Sequence, residues 1–242
     1  MVMEILFFLA MFLVAFLYSS VGHGGASGYL ALMALFGIEV VLMKPSALIL
    51  NLFVSSIAFY AFYRAGHFRL RLLLPFVISS VPMAFLGGTM EISPELYKKI
   101  LGACLFIAAL RILIRPGEEG ELRKISIPIA IVAGAMIGFF SGMIGIGGGI
   151  ILSPVLLITR WGGMKETAAA SAAFIFLNSL AGLSGHLVAG MEVSSGILLW
   201  IVVVMAGGLL GARFGGFRFT AVQLKYLITL VLVIASIKLY IM

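Results

Sequence analysis

Charged residues are scarce in this chain, at 10% of its 242 residues, whereas hydrophobic residues make up 63%. Soluble domains carry about 25% charged residues, and a soluble core of this size could not bury so much apolar surface. The composition therefore predicts an all-α polytopic membrane protein. An outer-membrane barrel is excluded, because the apolar runs are continuous and nearly twice as long as the alternating segments of about 10 residues in barrels.

Cysteine and membrane-embedded acids are also lacking. Cys104 is the only cysteine, so neither an intrachain disulfide nor a cysteine-based metal site is available. No carboxylate lies inside a long apolar segment, which argues against an acid-based proton relay and against an intramembrane metalloprotease. No Walker lysine follows the glycine-rich stretches. We therefore expect no enzymatic activity, no metal and no cofactor.

The net charge of +7 does not indicate a nucleic-acid-binding protein. The basic residues lie in short loops between apolar runs, which is the pattern of cytoplasmic loops in membrane proteins rather than a basic face. The partners predicted from this distribution are the lipid bilayer and a small solute.

The apolar runs predict eight full transmembrane helices, since a span needs about 20 mostly apolar residues. The first is interpreted as a retained helix, because it has neither a positive n-region nor a clear cleavage site. The predicted spans are residues 3–21, 45–63, 70–89, 95–113, 125–142, 167–188, 194–212 and 221–241. Two shorter apolar segments, 29–43 and 150–159, are predicted half-helices.

Two glycine-rich breaks, 123 positions apart, precede the short segments: residues 21–28 and residues 144–149. An asparagine follows each break inside the next long segment, Asn51 in one half and Asn178 in the other. The chain is therefore interpreted as two repeats of five segments. Residues 1–113 are the first repeat, residues 114–124 a polar cytoplasmic linker, and residues 125–242 the second repeat.

The distribution of Lys and Arg predicts that the second repeat is inverted relative to the first. In the inverted arrangement 12 of the 16 Lys and Arg lie in cytoplasmic loops, whereas parallel repeats would divide them equally. Since this bias sets orientation, both termini are predicted to be extracytoplasmic. Whether the half-helices cross fully or re-enter is left open, because ten helical residues span only about 15 Å.

The glycine breaks predict a binding site for a small anion. A break exposes backbone N–H groups at the positive end of the following half-helix, and matched breaks in two halves point to a transporter's binding site. Close helix packing by glycine and hydrogen bonding between helices by asparagine are the alternatives. The candidate substrate-binding residues are Ser20, Gly22, His23, Gly24, Gly25, Ser27, Asn51, Ser141, Gly145, Gly147, Gly148, Gly149 and Asn178.

His23 breaks the symmetry, because Ile146 takes its place in the second repeat. A histidine titrates near neutral pH, so His23 is a candidate for proton coupling or for holding an anion in its charged form. A neutral histidine bonded to a loop carbonyl is the alternative. His67 and His186 are expected at the membrane interface.

The second break and its flanks, residues 138–157, resemble the signature of the TauE/SafE family of sulfite exporter-like membrane permeases. The resemblance extends to Lys165, Glu166, Ser171 and Asn178, to a weaker copy at residues 20–29, and to the basic loop at residues 63–69. It implies transport of sulfite, organosulfonates and related anions across the cytoplasmic membrane.

The leading hypothesis is a secondary transporter, expected to be an exporter, whose two repeats move against each other around a midplane site. An anion channel that uses the same breaks as a filter is the alternative. A homo-oligomer is compatible with the sequence.

Overall fold

The computed structural model describes residues 2–20, 23–113, 121–214 and 221–241, and within these ranges it contains ten α-helices and no strand. The helices are α1 (Val2–Ser20), α2 (Ala26–Leu35), α3 (Val40–Arg64), α4 (Leu70–Thr89), α5 (Pro94–Leu113), α6 (Ile127–Ile144), α7 (Gly149–Ile158), α8 (Met164–Val188), α9 (Ile197–Phe214) and α10 (Ala221–Ile241). The prediction of an all-helical protein is confirmed.

Five of the helices within the described ranges, α1, α3, α4, α6 and α8, are long and apolar enough to cross a membrane. The other predicted spans, 95–113, 194–212 and 221–241, correspond to the helices α5, α9 and α10. The short helices α2 and α7 have ten residues each. The multi-pass character of the protein is thus clear, and eight full crossings stay a prediction.

The first half-helix is shorter than the predicted range of 29–43. Helix α2 ends at Leu35, because Gly37 adopts a left-handed backbone with φ of +75° and the amide of Ile38 donates to the carbonyl of Met33. This bond pattern is a Schellman motif, which ends a helix at a glycine. Helix α3 then begins at Val40, just after Gly37 and Glu39, which interrupt the predicted apolar segment 29–43.

The packing of the helices follows a twofold pattern. Helix α1 packs on α9 as α4 packs on α6, and α3 packs on α9 as α4 packs on α8. The pairs α2–α10 and α2–α3 likewise match α5–α7 and α7–α8, while α3–α8 and α5–α10 are their own counterparts. The helices can be matched five apart, from α1 with α6 to α5 with α10. For nearly every packed pair, the matching pair of helices is packed too, as two related five-helix repeats would give.

Glycines allow two pairs of helices to approach each other closely. A Cβ atom at Gly87 of α4 would overlap the carbonyl oxygen of Phe139 in α6. A Cβ atom at Gly211 of α9 would overlap the carbonyl oxygen of Phe16 in α1. Phe16 and Phe139 are separated by the same 123 positions as the glycine breaks. Small residues allow membrane helices to approach this closely. The pairs α4–α6 and α1–α9 therefore both depend on a glycine at the contact.

Candidate functional site

Asn51, on α3, contacts both glycine breaks. Its Oδ1 accepts a hydrogen bond of 3.0 Å from the amide of Ala26, the first residue of α2. Its Nδ2 donates to the carbonyl oxygen of Ile146 at 3.4 Å and to Oγ of Ser179 on α8 at 3.3 Å. The Asn51 side chain is only 1% exposed. The two breaks therefore meet at one buried amide.

Glycine is required in both breaks by backbone conformation and by space. Gly25 and Gly148, the residues before α2 and α7, have φ of +90° and +78°, and Gly147 has φ of +70°. L-residues rarely adopt these angles. A Cβ atom at Gly24 or Gly147 would also lie within 2.5 Å of the Asn51 amide. The backbone at the breaks can therefore approach Asn51 because no side chain intervenes.

Helices α2 and α7 both begin close to Asn51. The first N–H groups of a helix have no partner within the helix, and the helix dipole places positive partial charge there. Asn51 occupies one of these donors, the amide of Ala26. Helix α7 begins at Gly149 beside Ile175 of α8. The starts of both half-helices thus face the α3–α8 contact.

His23 connects the first break to the second half-helix. Its Nε2 lies 3.0 Å from Oγ of Ser153 on α7, and that Oγ lies 2.9 Å from Oγ of Ser171 on α8. Ser153 also donates to the carbonyl oxygen of Gly149. A chain of hydroxyl groups therefore runs from His23 towards the start of α7. Ile146, the counterpart of His23, has no polar side chain to form such a chain.

The remaining predicted residues have more local partners. Ser20 and Ser141 donate to carbonyls of their own helices, Leu17 and Gly138. Ser27 shares a hydrogen bond of 2.9 Å with the hydroxyl of Tyr18.

Two further predicted residues, Gly145 and Asn178, form other contacts than a hydrogen bond with Asn51. Gly145 ends α6 in a left-handed conformation against the backbone of Lys44. Asn178 donates to the carbonyl oxygen of Phe174, and its buried Oδ1 has no partner among the described residues. Gly22 lies outside the described residues. The α8 residue that reaches Asn51 is Ser179.

Lys44 is a residue that sequence reasoning missed. The predicted segments 29–43 and 45–63 leave it in the connection between them, whereas it lies inside α3 and is only 1% exposed. Its Nζ lies 4.7 Å from the ring centre of Tyr97, whose hydroxyl donates to the carbonyl oxygen of Ile144. Gly145 packs directly on the Lys44 backbone. The sequence does contain a sign of this position, because Lys44 is the single charged residue in the apolar stretch between Glu39 and Arg64.

His186, which the sequence predicts at the membrane interface, is buried within the protein. Its Nε2 lies 2.8 Å from the carbonyl oxygen of Gly142 on α6. Because a carbonyl only accepts, Nε2 carries the proton. Gly142 and Gly145 lie within one turn of each other, so His186 and Lys44 both contact the end of α6. Its place near the end of α8 suggested the interface, but α8 packs against α4 and α6 there.

A cavity of about 200 Å³ lies beside the first break. Ser19 and Ser20, at the end of α1, form part of its wall, and His67 and Lys165 add basic groups. The other lining residues are Ala58, Ala61, Phe62, Ala65 and Ala212. The cavity is large enough for a small solute, and basic side chains lie in it close to the first break.

Comparison with known proteins identifies the family. The model of the family described as sulfite exporter TauE/SafE matches residues 7–239. The chain belongs to this family. A probable membrane transporter protein of Sinorhizobium fredii, y4hK, is 36% identical over 237 residues, which cover 96% of both chains. The probable membrane transporter protein YdhB of Bacillus subtilis is 26% identical over 218 residues, covering 86% of this chain and 89% of that one.

No solved structure matches this chain. Membership of the family makes the protein a membrane transporter rather than an enzyme, in agreement with the sequence interpretation.

Proposed function

We propose that this transporter exports small sulfur-containing or organic anions, such as sulfite or organosulfonates, and binds them between the two glycine breaks. The observation that carries the proposal is the position of Asn51, which bonds the start of α2 and the carbonyl of Ile146 at once. A solute bound here would contact both repeats. This is the geometry needed if movement of one repeat against the other is to expose the solute to either side.

The chemistry of the site favours an anion. The peptide N–H of Ala26 at the start of α2, the Asn51 amide and the hydroxyl of Ser179 lie together here, and Gly147, just before α7, lies against the last two. Helix N-termini and backbone N–H groups bind oxyanions without a charged side chain. Lys44 adds a buried positive charge 4.7 Å from the ring centre of Tyr97, whose hydroxyl donates to the carbonyl oxygen of Ile144 at the start of the second break. Sulfite and sulfonates present several acceptor oxygens on one small group, which suits this set of donors.

The cavity beside Ser19 and Ser20 is consistent with entry of the anion from the cytoplasm, which export requires. The connections after α3 and α7 carry its basic residues, His67 and Lys165, and the distribution of Lys and Arg favours a cytoplasmic position for both connections. An anion from the cytoplasm would be attracted to this cavity and would then meet the first break. Both termini are extracytoplasmic in this arrangement, and the linker at residues 114–124 is cytoplasmic.

The inverted relation of the repeats can be tested by labelling. Ala65 and Glu192 occupy equivalent exposed positions, 127 places apart, as are Asn51 and Asn178. In a Cys104→Ser background, Ala65→Cys should react with a membrane-impermeant maleimide only from the cytoplasmic side, and Glu192→Cys only from outside. Labelling of both cysteines from one side would show that the repeats are parallel.

Flux into proteoliposomes tests the transport proposal. We expect saturable sulfite or sulfonate flux, accelerated by substrate on the far side, since this counterflow distinguishes a transporter from a channel. Gly148→Leu should abolish the flux, because the new side chain would collide with Ile137, Phe174 and Ser141. Gly163→Leu is the matched control, since Gly163 has open space around it. Absence of saturable flux, or full flux in Gly148→Leu, would refute the proposal.

A further inference from the structure

A second, larger cavity of about 620 Å³ lies where α4, α6 and α8 begin. Four basic residues line it: Arg69, Arg71, Arg123 and Lys124. Among the described residues, Glu166 is the one acidic residue that lines it, and it forms a salt bridge with Arg69. In the part of the chain that the structure describes, no salt bridge neutralises the other three. The cavity therefore has an excess of positive charge.

The fold holds these charges in place. The amide of Arg123 donates to the carbonyl oxygen of Arg160 at 2.8 Å, which fixes the segment before α6 against the α7–α8 connection. Helices α4, α6 and α8 begin at residues 70, 127 and 164, so the positive ends of three helix dipoles point to this region. The cavity is consequently suited to an anionic group.

The rest of the wall is apolar and continues onto the outer surface of the helices. Leu74, Pro75 and Ile127 line the cavity, and Trp161 lies at its inner side. Leu74 and Ile127 are about half exposed, and Ile78, one turn further along α4, is 62% exposed. Apolar side chains exposed on a membrane-spanning helix face lipid chains. A bound molecule would thus have its charged part among the arginines and its apolar part along α4 and α6.

We propose that this cavity binds the head group of an anionic phospholipid, with the acyl chains lying along the exposed faces of α4 and α6. Basic pockets between transmembrane helices at the cytoplasmic surface suit anionic lipid head groups, and the volume lies in the range of ligand sites, about 300–1,000 Å³. The phosphate accepts hydrogen bonds from Arg71, Arg123 and Lys124. The site is separate from the glycine breaks and does not depend on the identity of the transported solute.

Thermal stability in defined lipid tests the proposal. We expect phosphatidylglycerol to raise the Tm of the purified protein by at least about 3 °C relative to phosphatidylcholine, because a ligand of the native state stabilises it. The double variant Arg123→Gln with Lys124→Gln should lose more than half of this rise. Lys98→Gln with Lys99→Gln removes two adjacent charges from α5 and should keep it. A full rise in the first variant, or the same rise with soluble glycerol phosphate, would overturn the proposal.

Fluorescence of Trp161 gives a measurement that leaves the basic residues intact. Trp161 and Trp200 are the only tryptophans, so Trp200→Phe makes Trp161 the sole reporter. Phosphatidylglycerol with brominated acyl chains should quench Trp161 several-fold more strongly than brominated phosphatidylcholine at equal mole fraction. In Trp161→Phe, which reports from Trp200, the two lipids should quench equally. Equal quenching of Trp161 by the two lipids would contradict a selective site.

Discussion

Asn51 and Ile146, 95 positions apart, are joined by a hydrogen bond of 3.4 Å from the side-chain amide to the backbone carbonyl. The same side chain accepts a bond from the amide of Ala26, so it holds the first break while it contacts the second. Asn51 thus bonds to the backbone at both breaks. Changes at Asn51 should therefore affect stability and transport together.

Replacement of Asn51 by alanine is expected to destabilise the protein by about 2–4 kcal/mol. It removes up to three buried hydrogen bonds and leaves the amide of Ala26 without its acceptor. Unfolding in a mixed detergent series, with flux measured in parallel, checks this. Ser184→Ala is the control, since the exposed Ser184 hydroxyl bonds only to its own helix, and it should change stability by less than about 0.5 kcal/mol. Equal effects of the two variants would contradict the role of Asn51.

A comparison of Gly147→Ala with Gly190→Ala separates backbone strain from crowding. Both glycines have positive φ, +70° and +79°, but only Gly147 has neighbours within 4 Å, including Asn51 and Ser179. The strain costs about 1–2 kcal/mol at either position. Crowding should add about 1–3 kcal/mol at Gly147. Detergent unfolding should therefore show a larger loss for Gly147→Ala, and equal losses would mean that the break is not tightly packed.

Gly87→Ala and Gly211→Ala should destabilise the protein by similar amounts, about 2–3 kcal/mol each. In both, the added methyl group would overlap a backbone carbonyl oxygen of the neighbouring helix, of Phe139 or Phe16, and a backbone cannot move aside easily. Gly208→Ala is the matched control on α9, because its Cβ would make only ordinary contact with Val54 at 3.5 Å. Unfolding of all three variants tests this. If Gly87→Ala and Gly208→Ala were equally tolerated, the result would contradict the close approach of α4 to α6 at Gly87.

Lys44→Met is expected to raise the KM for anion flux several-fold with little loss of stability. The variant removes a buried positive charge beside the second break, and the desolvation cost of that charge disappears as well. Lys44→Arg should keep most of the affinity. Lys99→Met removes an exposed lysine from α5 and should leave KM unchanged. An unchanged KM in Lys44→Met would show that the charge of Lys44 interacts with the Tyr97 ring and does not contribute to anion binding.

His23→Gln should flatten the pH dependence of flux between pH 5 and 8 if His23 couples protons to transport. Glutamine can still bond to Ser153, 3.0 Å from the imidazole in the native protein, but it does not titrate in this range. Flux measured with and without an imposed pH gradient checks this. Ser153→Ala keeps the histidine and should keep the pH dependence. An unaltered pH profile in His23→Gln would end the coupling hypothesis.

The order of helices followed well from the sequence, because long apolar runs have few alternatives in a membrane. The boundary between α2 and α3 was misplaced between residues 43 and 45, because Gly37 and Glu39 lie among apolar residues and the left-handed conformation of Gly37, which ends α2 at Leu35, is known only from the structure. The placement of Lys44 was missed for a related reason. Its neighbours predict a helix start, but only the packing of α6 and Tyr97 shows that the side chain is buried.

The sequence by itself determined the membrane setting, the ten segments and the two glycine breaks, because hydrophobicity and the absence of side chains act locally. Only the tertiary structure decided that the breaks meet at Asn51, that Ser179 rather than Asn178 is its partner on α8, and that His23 reaches Ser153 on α7. These contacts join residues about 130 positions apart. They depend on which faces of α3, α7 and α8 pack together. The orientation of each helix about its own axis cannot be predicted from a local sequence pattern.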